Sequence, residues 1–321
     1  MMRIVGWMAG ILAAPLVYVA FAPIPEGPTP ASPSPARDYP EAIARFERSF
    51  AAQDKSVRGD CRPRLLTHGR KTGRAMVLLH GFTNCPMQFD SLATLLHRRG
   101  FNVYQPRVPR HGLADRMTTE LADLTAEELA GSAEEALDLA HGLGDSVTVV
   151  GLSSTAVAAA WLAVHRGDLD QAVVIAPALS PRDVGLGWTK RLTSALLLAP
   201  NFFTWWDSKL KEGVGGPRQC YPRFASRGLA QVYRLGFAAL AGATAAKPAA
   251  RDVVILTTAA DEGVGNAAAH ELARRWRVHG GNVRTYEFPE SLDVRHDMID
   301  PEQPYQRIAI AYPEILRAVA P

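Results

Sequence analysis

Ser153 lies in V-T-V-V-G-L-S-S-T-A-V-A-A-A, Val147 to Ala160, where β-branched residues run into Gly151 and small helix formers follow. That order reads as a buried strand turning sharply into a helix. Such a turn lifts the hydroxyl clear of the strand and sets it at the positive end of the helix, where N–H groups without helical partners can hold a developing oxyanion. A serine in front of a helix is more often an N-cap than a nucleophile, so the motif needs partners. Asp261 stands in A-A-D-E-G-V-G directly after the strand-like D-V-V-I-L-T-T, Asp252 to Thr258. His296 stands in P-E-S-L-D-V-R-H-D-M-I after a second such run, Asn282 to Phe288. A histidine can take the proton of a serine, and a carboxylate can orient and stabilise the imidazolium that forms. Glu262, Asp293 and Asp297 are rivals for the acid, the last two reading better as solvated or loop-bracing groups.

The elements that must position these groups alternate along the chain. Ala75 to Leu79 is an apolar run ending in His80-Gly81-Phe82-Thr83-Asn84. A strand followed by H-G-x fits a loop that offers an oxyanion N–H from Phe82, the second coming from Ser154 just after the serine. His80 reads as a brace for that loop, and His111, in R-V-P-R-H-G, as part of an ordinary polar turn. A helix is expected over Met87–Arg99 with a glycine stop at Gly100, a strand over Phe101–Gln105, and a helix over Thr125–His141 with Glu127, Glu128, Glu134 and Glu135 in solvent. Gln171–Ala176 is a further strand, and two closing helices are expected near Pro304–Tyr312 and Pro313–Ala320. Strands separated by crossovers of this length demand an α/β architecture with a mostly parallel, doubly wound sheet. Ser153, Asp261 and His296 then each fall just beyond a parallel strand, the edge where such sheets carry their sites.

The rhythm breaks at about 178–250, where no clear strand is visible but Trp188, Leu192, Leu198, Phe202, Phe203, Trp205 and Trp206 occur. That stretch reads as a helical cap insertion, either packed over the site or touching a membrane. Either way it supplies an apolar wall that favours an acyl chain.

Residues 1–22 form a signal peptide or a membrane anchor: Ile4 to Ala22 carries no charge, Arg3 precedes it, and as a helix it would reach about 28 Å. Residues 23–40 are a proline-rich linker, extended and non-globular, and 41–321 are the folded domain. Export to the cell envelope, inner-membrane anchored or periplasmic, is the expected localisation, with membrane contact through the N-terminal segment and the cap. The net charge of +3 and the dispersed basic residues exclude nucleic acid as a natural partner. Cys61, Cys85 and Cys220 have no zinc-ligand spacing, and three cysteines far apart do not fix a pairing; in an exported chain Cys61 with Cys220 is one candidate disulfide, with Cys85 beside the H-G-F loop.

With nucleophile, acid and histidine in that order, the chain resembles the α/β-hydrolase family, in particular its esterase, monoacylglycerol lipase and lysophospholipase branch with H-G-F-T after an early strand. The likeness spans about Arg62 to Ala320, and Thr155 departs from the G-x-S-x-G pattern. The resemblance implies a serine hydrolase: His296 takes the Ser153 proton, Asp261 steadies the imidazolium, Phe82 and Ser154 hold the oxyanion, and an acyl-enzyme is hydrolysed without metal or organic cofactor. Carboxylic esters with lipid-like acyl groups are the implied substrates. The alternative is a non-catalytic, envelope-anchored module that binds a lipid or a protein on the same fold.

Overall fold

The computed structural model describes residues 22–207, 209 and 217–319. The expected signal or anchor segment, 1–22, lies outside the described residues apart from Ala22. Among the described residues no helix is long and apolar enough to cross a membrane.

Seven strands form one sheet: β1 (Arg64–Leu66), β2 (Thr72–Leu79), β3 (Asn102–Gln105), β4 (Gly144–Leu152), β5 (Gln171–Ile175), β8 (Asp252–Thr258) and β9 (Val283–Phe288). Their order is β1-β3-β2-β4-β5-β8-β9, parallel throughout except for β1, which runs antiparallel to β3. The central strands read as largely apolar runs because both faces are covered: residues 75–79, 147–152 and 171–175 are all buried, Thr148 and Gln171 being the polar ones.

The covering helices among the described residues are α1 (Tyr39–Ala51), α2 (Asp90–Arg98), α3 (Ala126–Ala140), α4 (Ser154–His165), α5 (Leu186–Leu198), α6 (Ser226–Ala245), α7 (Asn266–Val278) and α8 (Ile308–Val319). α3, α4, α6 and α7 pack against one another, while α2 lies over β1 and β3 and α8 over β5. α3 opens with a capping box in which Thr125 and Glu128 satisfy each other's backbone N–H groups. The C-terminus forms one helix with Pro313 inside it, not the two expected.

Residues 23–36 carry neither helix nor strand, as a proline-rich run should, yet they are fastened to the domain. The Ala31 and Ser34 N–H groups donate to the Glu134 and Asp138 carboxylates at 2.9 and 3.0 Å, Ala36 N–H donates to the Asp138 carbonyl, and Arg234 donates to the Glu26 carbonyl. Glu134, expected in solvent, is buried beneath this strap.

The stretch expected to lack strands holds α5, a short antiparallel hairpin of β6 (Phe203–Trp205) and β7 (Arg223–Ala225), and α6. Three-residue strands are too short to show a two-residue alternation, so the hairpin leaves no mark in the sequence. α6 packs into the helical layer, with Gly242 pressed against Val164 of α4.

The candidate Cys61–Cys220 pairing is not the one formed. Cys61 is bonded to Cys85 with their Cα atoms 5.3 Å apart, and Cys220 is a half-buried free thiol. The turn at Gly59–Cys61 packs beside the loop after β2, a contact between segments that no spacing of three cysteines reveals.

Candidate active site

Ser153 joins β4 to α4 with φ +59° and ψ −112°, a backbone conformation that an L residue adopts only when its surroundings enforce it. The surroundings are identifiable. Ser153 N–H donates to the Ile175 carbonyl at 2.9 Å, and its own carbonyl accepts from Ala178 N–H at 3.1 Å, so both sides of the elbow are clipped to the end of β5. A Cβ at Gly151 would lie 2.2 Å from the Thr155 carbonyl oxygen, which is why glycine is required there. Thr155 occupies a position where the resemblance expects glycine. Its hydroxyl accepts from Leu152 N–H at 3.1 Å and donates to the Leu79 carbonyl at 2.7 Å, tying the elbow to β2. Ser154 N–H opens the first turn of α4, where no intrahelical acceptor exists for it.

Asp261 follows β8 and His296 follows β9, at the same sheet edge as the elbow. The Asp261 carboxylate is 3% exposed. Its Oδ2 lies 2.7 Å from His296 Nδ1, and its Oδ1 accepts the N–H groups of Gly263 and Val264 at 2.8 and 2.9 Å. Burial by itself would push the Asp261 carboxyl up, but the charge and hydrogen bond of His296 and the two backbone donors bring it below its ordinary value. Burial likewise pulls His296 down, and Asp261, aided by Asp297, outweighs it and holds the imidazole above its ordinary value. The rivals are engaged elsewhere: Glu262 is exposed and faces Arg295, Asp293 pairs with Arg295 and Arg307, and Asp297 is buried against two glutamine amides. The structure therefore joins Asp261 to His296 directly, and Ser153 stands with them by its place on the shared edge.

The loop after β2 turns at Thr83, with φ +65° and a bond from Asn84 N–H to the Gly81 carbonyl. His80 braces it as expected. Its Nε2 accepts Val108 N–H at 3.1 Å, so the proton sits on Nδ1 and is donated to the Gly81 carbonyl. Burial holds this imidazole neutral, well below its ordinary range. His111 is no ordinary polar turn residue: it is buried, its ring packs near those of His80, Phe82 and Tyr221, and burial pushes it down to about 4. Gly81 abuts the end of β4, since a Cβ there would lie 3.6 Å from the Leu152 carbonyl, and this sets Phe82 beside the elbow.

A model of the "Alpha/beta hydrolase family" matches residues 76–311. The chain belongs to that family. No curated protein matches it significantly in sequence. Among solved structures it is similar to one of the metagenome-derived lipolytic enzymes LipS and LipT, with TM-score 0.60 and 17% identity over 82% of this chain and 99% of that one. It is also similar to the monoacylglycerol lipase of Paleococcus ferrophilus, TM-score 0.54 and 18% identity over 73% and 91% of the two chains. A soluble variant of the Saccharomyces cerevisiae monoglyceride lipase gives TM-score 0.54 and 12% identity over 80% and 90%.

In this alpha/beta hydrolase the β6–β7 hairpin reaches the loop after β2. Trp206 Nε1–H donates to Thr83 Oγ1 at 2.9 Å, Tyr221 N–H donates to the Thr83 carbonyl at 2.7 Å, and the Trp206, Phe224 and Phe82 rings form a series with centroids 4.3 and 6.3 Å apart. An aromatic wall thus adjoins the Phe82 backbone. Among the described residues no group of His, Cys, Asp and Glu is arranged to hold a metal ion. Two buried polar residues escaped the sequence reading, Gln88 and Gln303. Gln88 stands in the apolar P-M-Q-F, a signal that could have found it, whereas Gln303 lies in a polar stretch and left none.

Proposed function

We propose that this alpha/beta hydrolase cleaves carboxylic esters through Ser153, His296 and Asp261. The observation that carries the reading is the contact at 2.7 Å between the buried Asp261 carboxylate and His296, on the same sheet edge as a serine held at positive φ. His296 Nε2 takes the Ser153 proton as Oγ attacks the ester carbonyl, and the negative charge on the former carbonyl oxygen is held by the Phe82 and Ser154 N–H groups. The imidazolium, steadied by Asp261, returns that proton to the departing alcohol. Water then adds to the acyl-enzyme with His296 again as base, releasing the acid and free Ser153. The aromatic series Trp206, Phe224 and Phe82 supports an apolar acyl group as the preferred substrate part.

The same reading extends to location. The uncharged run before Ala22 and the Cys61–Cys85 disulfide support export into an oxidising compartment of the cell envelope. The exposed Trp188, Leu198, Phe202 and Trp206 support contact of the inserted stretch with a membrane surface.

The deciding experiment is turnover of p-nitrophenyl esters together with labelling by a fluorophosphonate. The wild type is expected to react with both, and Ser153→Ala to lose labelling entirely and turnover by about 10⁴-fold or more. A wild type that neither turns over short esters nor labels at Ser153 would leave only a binding module on this fold.

A further inference from the structure

Gln88 lies on a 3-10 turn, Pro86–Phe89, that contributes no group to the mechanism proposed above, yet its side chain is 3% exposed and uses both ends of its amide. Oε1 accepts the N–H of Gly81 at 2.8 Å, and Nε2 donates to Oδ2 of Asp297 at 2.9 Å. The amide has one orientation that serves both partners, because an N–H requires an acceptor and a carboxylate requires a donor. Gly81 immediately precedes Phe82, and Asp297 immediately follows His296. The two residues gripped by one amide therefore belong to the two loops that must keep a fixed spacing while an oxyanion forms and a proton moves. Asp297 is anchored in turn: Gln303 Nε2 donates to the same Oδ2 at 2.8 Å, and the whole group is buried.

We infer that Gln88 is a positioning residue that clamps the Gly81–Phe82 segment to the His296–Asp297 segment. The inference rests on the proposed esterase reading. Its alternative is a plain structural bond, which would hold the fold together and leave the chemical step alone. The two differ in what they do to turnover. A clamp sets where the Phe82 N–H lies relative to His296, so its loss lowers kcat at nearly constant KM, and a displacement of about 1 Å lowers the rate on the order of 100-fold.

The test uses the full chain with p-nitrophenyl butyrate, measuring kcat, KM and melting temperature. Gln88→Met keeps the length and removes both bonds; kcat should fall about 10- to 100-fold with KM within about twofold. Gln88→Glu sets a carboxylate against the Asp297 carboxylate and should lose at least as much. Asp297→Asn retains an acceptor oxygen for Gln88 and should be mild. The double change Gln88→Glu with Asp297→Asn exchanges donor and acceptor, provided the Gln303 amide turns over so that its oxygen, in place of Nε2, faces position 297; kcat should then return to within about fivefold of Asp297→Asn alone. A Gln88→Met enzyme with wild-type kcat, whatever its melting temperature, overturns the clamp, as does a double variant no faster than Gln88→Glu. Should Gln88→Met not fold, the exchange pair decides by itself. A wild type without esterase turnover would instead remove the proposed function, and the clamp with it; an active wild type whose Gln88 variants are equally active removes the clamp alone.

Discussion

Asp261 and His296 illustrate how a site sets its own titration. In the proposed mechanism the imidazole must be neutral to accept the Ser153 proton, so kcat/KM should rise with pH through the titration of His296 in the free enzyme. Burial would lower that titration, but the Asp261 carboxylate 2.7 Å away, with Asp297 behind it, raises it above the ordinary imidazole value of about 6.5. The acidic limb of the pH–rate profile is therefore expected to have its midpoint above about 6.5. Asp300, which burial and the neighbouring Asp297 push up to about 7, titrates in the same window. Asp300→Asn should leave the limb in place; a limb that moves with Asp300, or one centred below the ordinary imidazole value, would show that His296 is not the group observed.

Between strand and helix, the elbow depends on Thr155 more than on the glycine its motif suggests. The hydroxyl bridges Leu152 N–H and the Leu79 carbonyl, linking β4 to β2 at the point where the backbone is forced to positive φ. Thr155→Val preserves the shape and leaves two buried backbone groups without this partner. A loss of about 1–3 kcal/mol is expected, read from denaturant unfolding, with a fall in kcat as the elbow relaxes. A change under about 0.5 kcal/mol would mean that neither bond contributes to holding the turn.

At the scale of the whole molecule, the Cys61–Cys85 disulfide fastens the segment before β1 to the loop after β2. Titration of the denatured protein without reductant should find one thiol, Cys220, and three after reduction. Three thiols before reduction would remove the bond and weaken the case for an exported protein. Replacing both bonded cysteines by alanine should destabilise the fold by about 2–4 kcal/mol. It should also lower kcat, since Cys85 directly follows Asn84 of the loop that carries Phe82.

The alternation of apolar runs and amphipathic segments dictated the α/β class unaided, because a parallel strand buried on both faces must be apolar throughout and its crossover helix must be apolar on one side. Position relative to those strands singled out Ser153, Asp261 and His296, since each stands a few residues beyond a strand that the sequence makes visible. The sequence already favoured Asp261 over Glu262, Asp293 and Asp297; the coordinates add its contact with His296 Nδ1, oriented by a turn that Gly263 and Val264 close. The pairing of Cys61 with Cys85, the strap over Glu134, the burial of His111 and the amide of Gln88 between two loops were likewise decided in three dimensions. Each is a contact between segments whose meeting depends on packing, and packing leaves no period in a sequence.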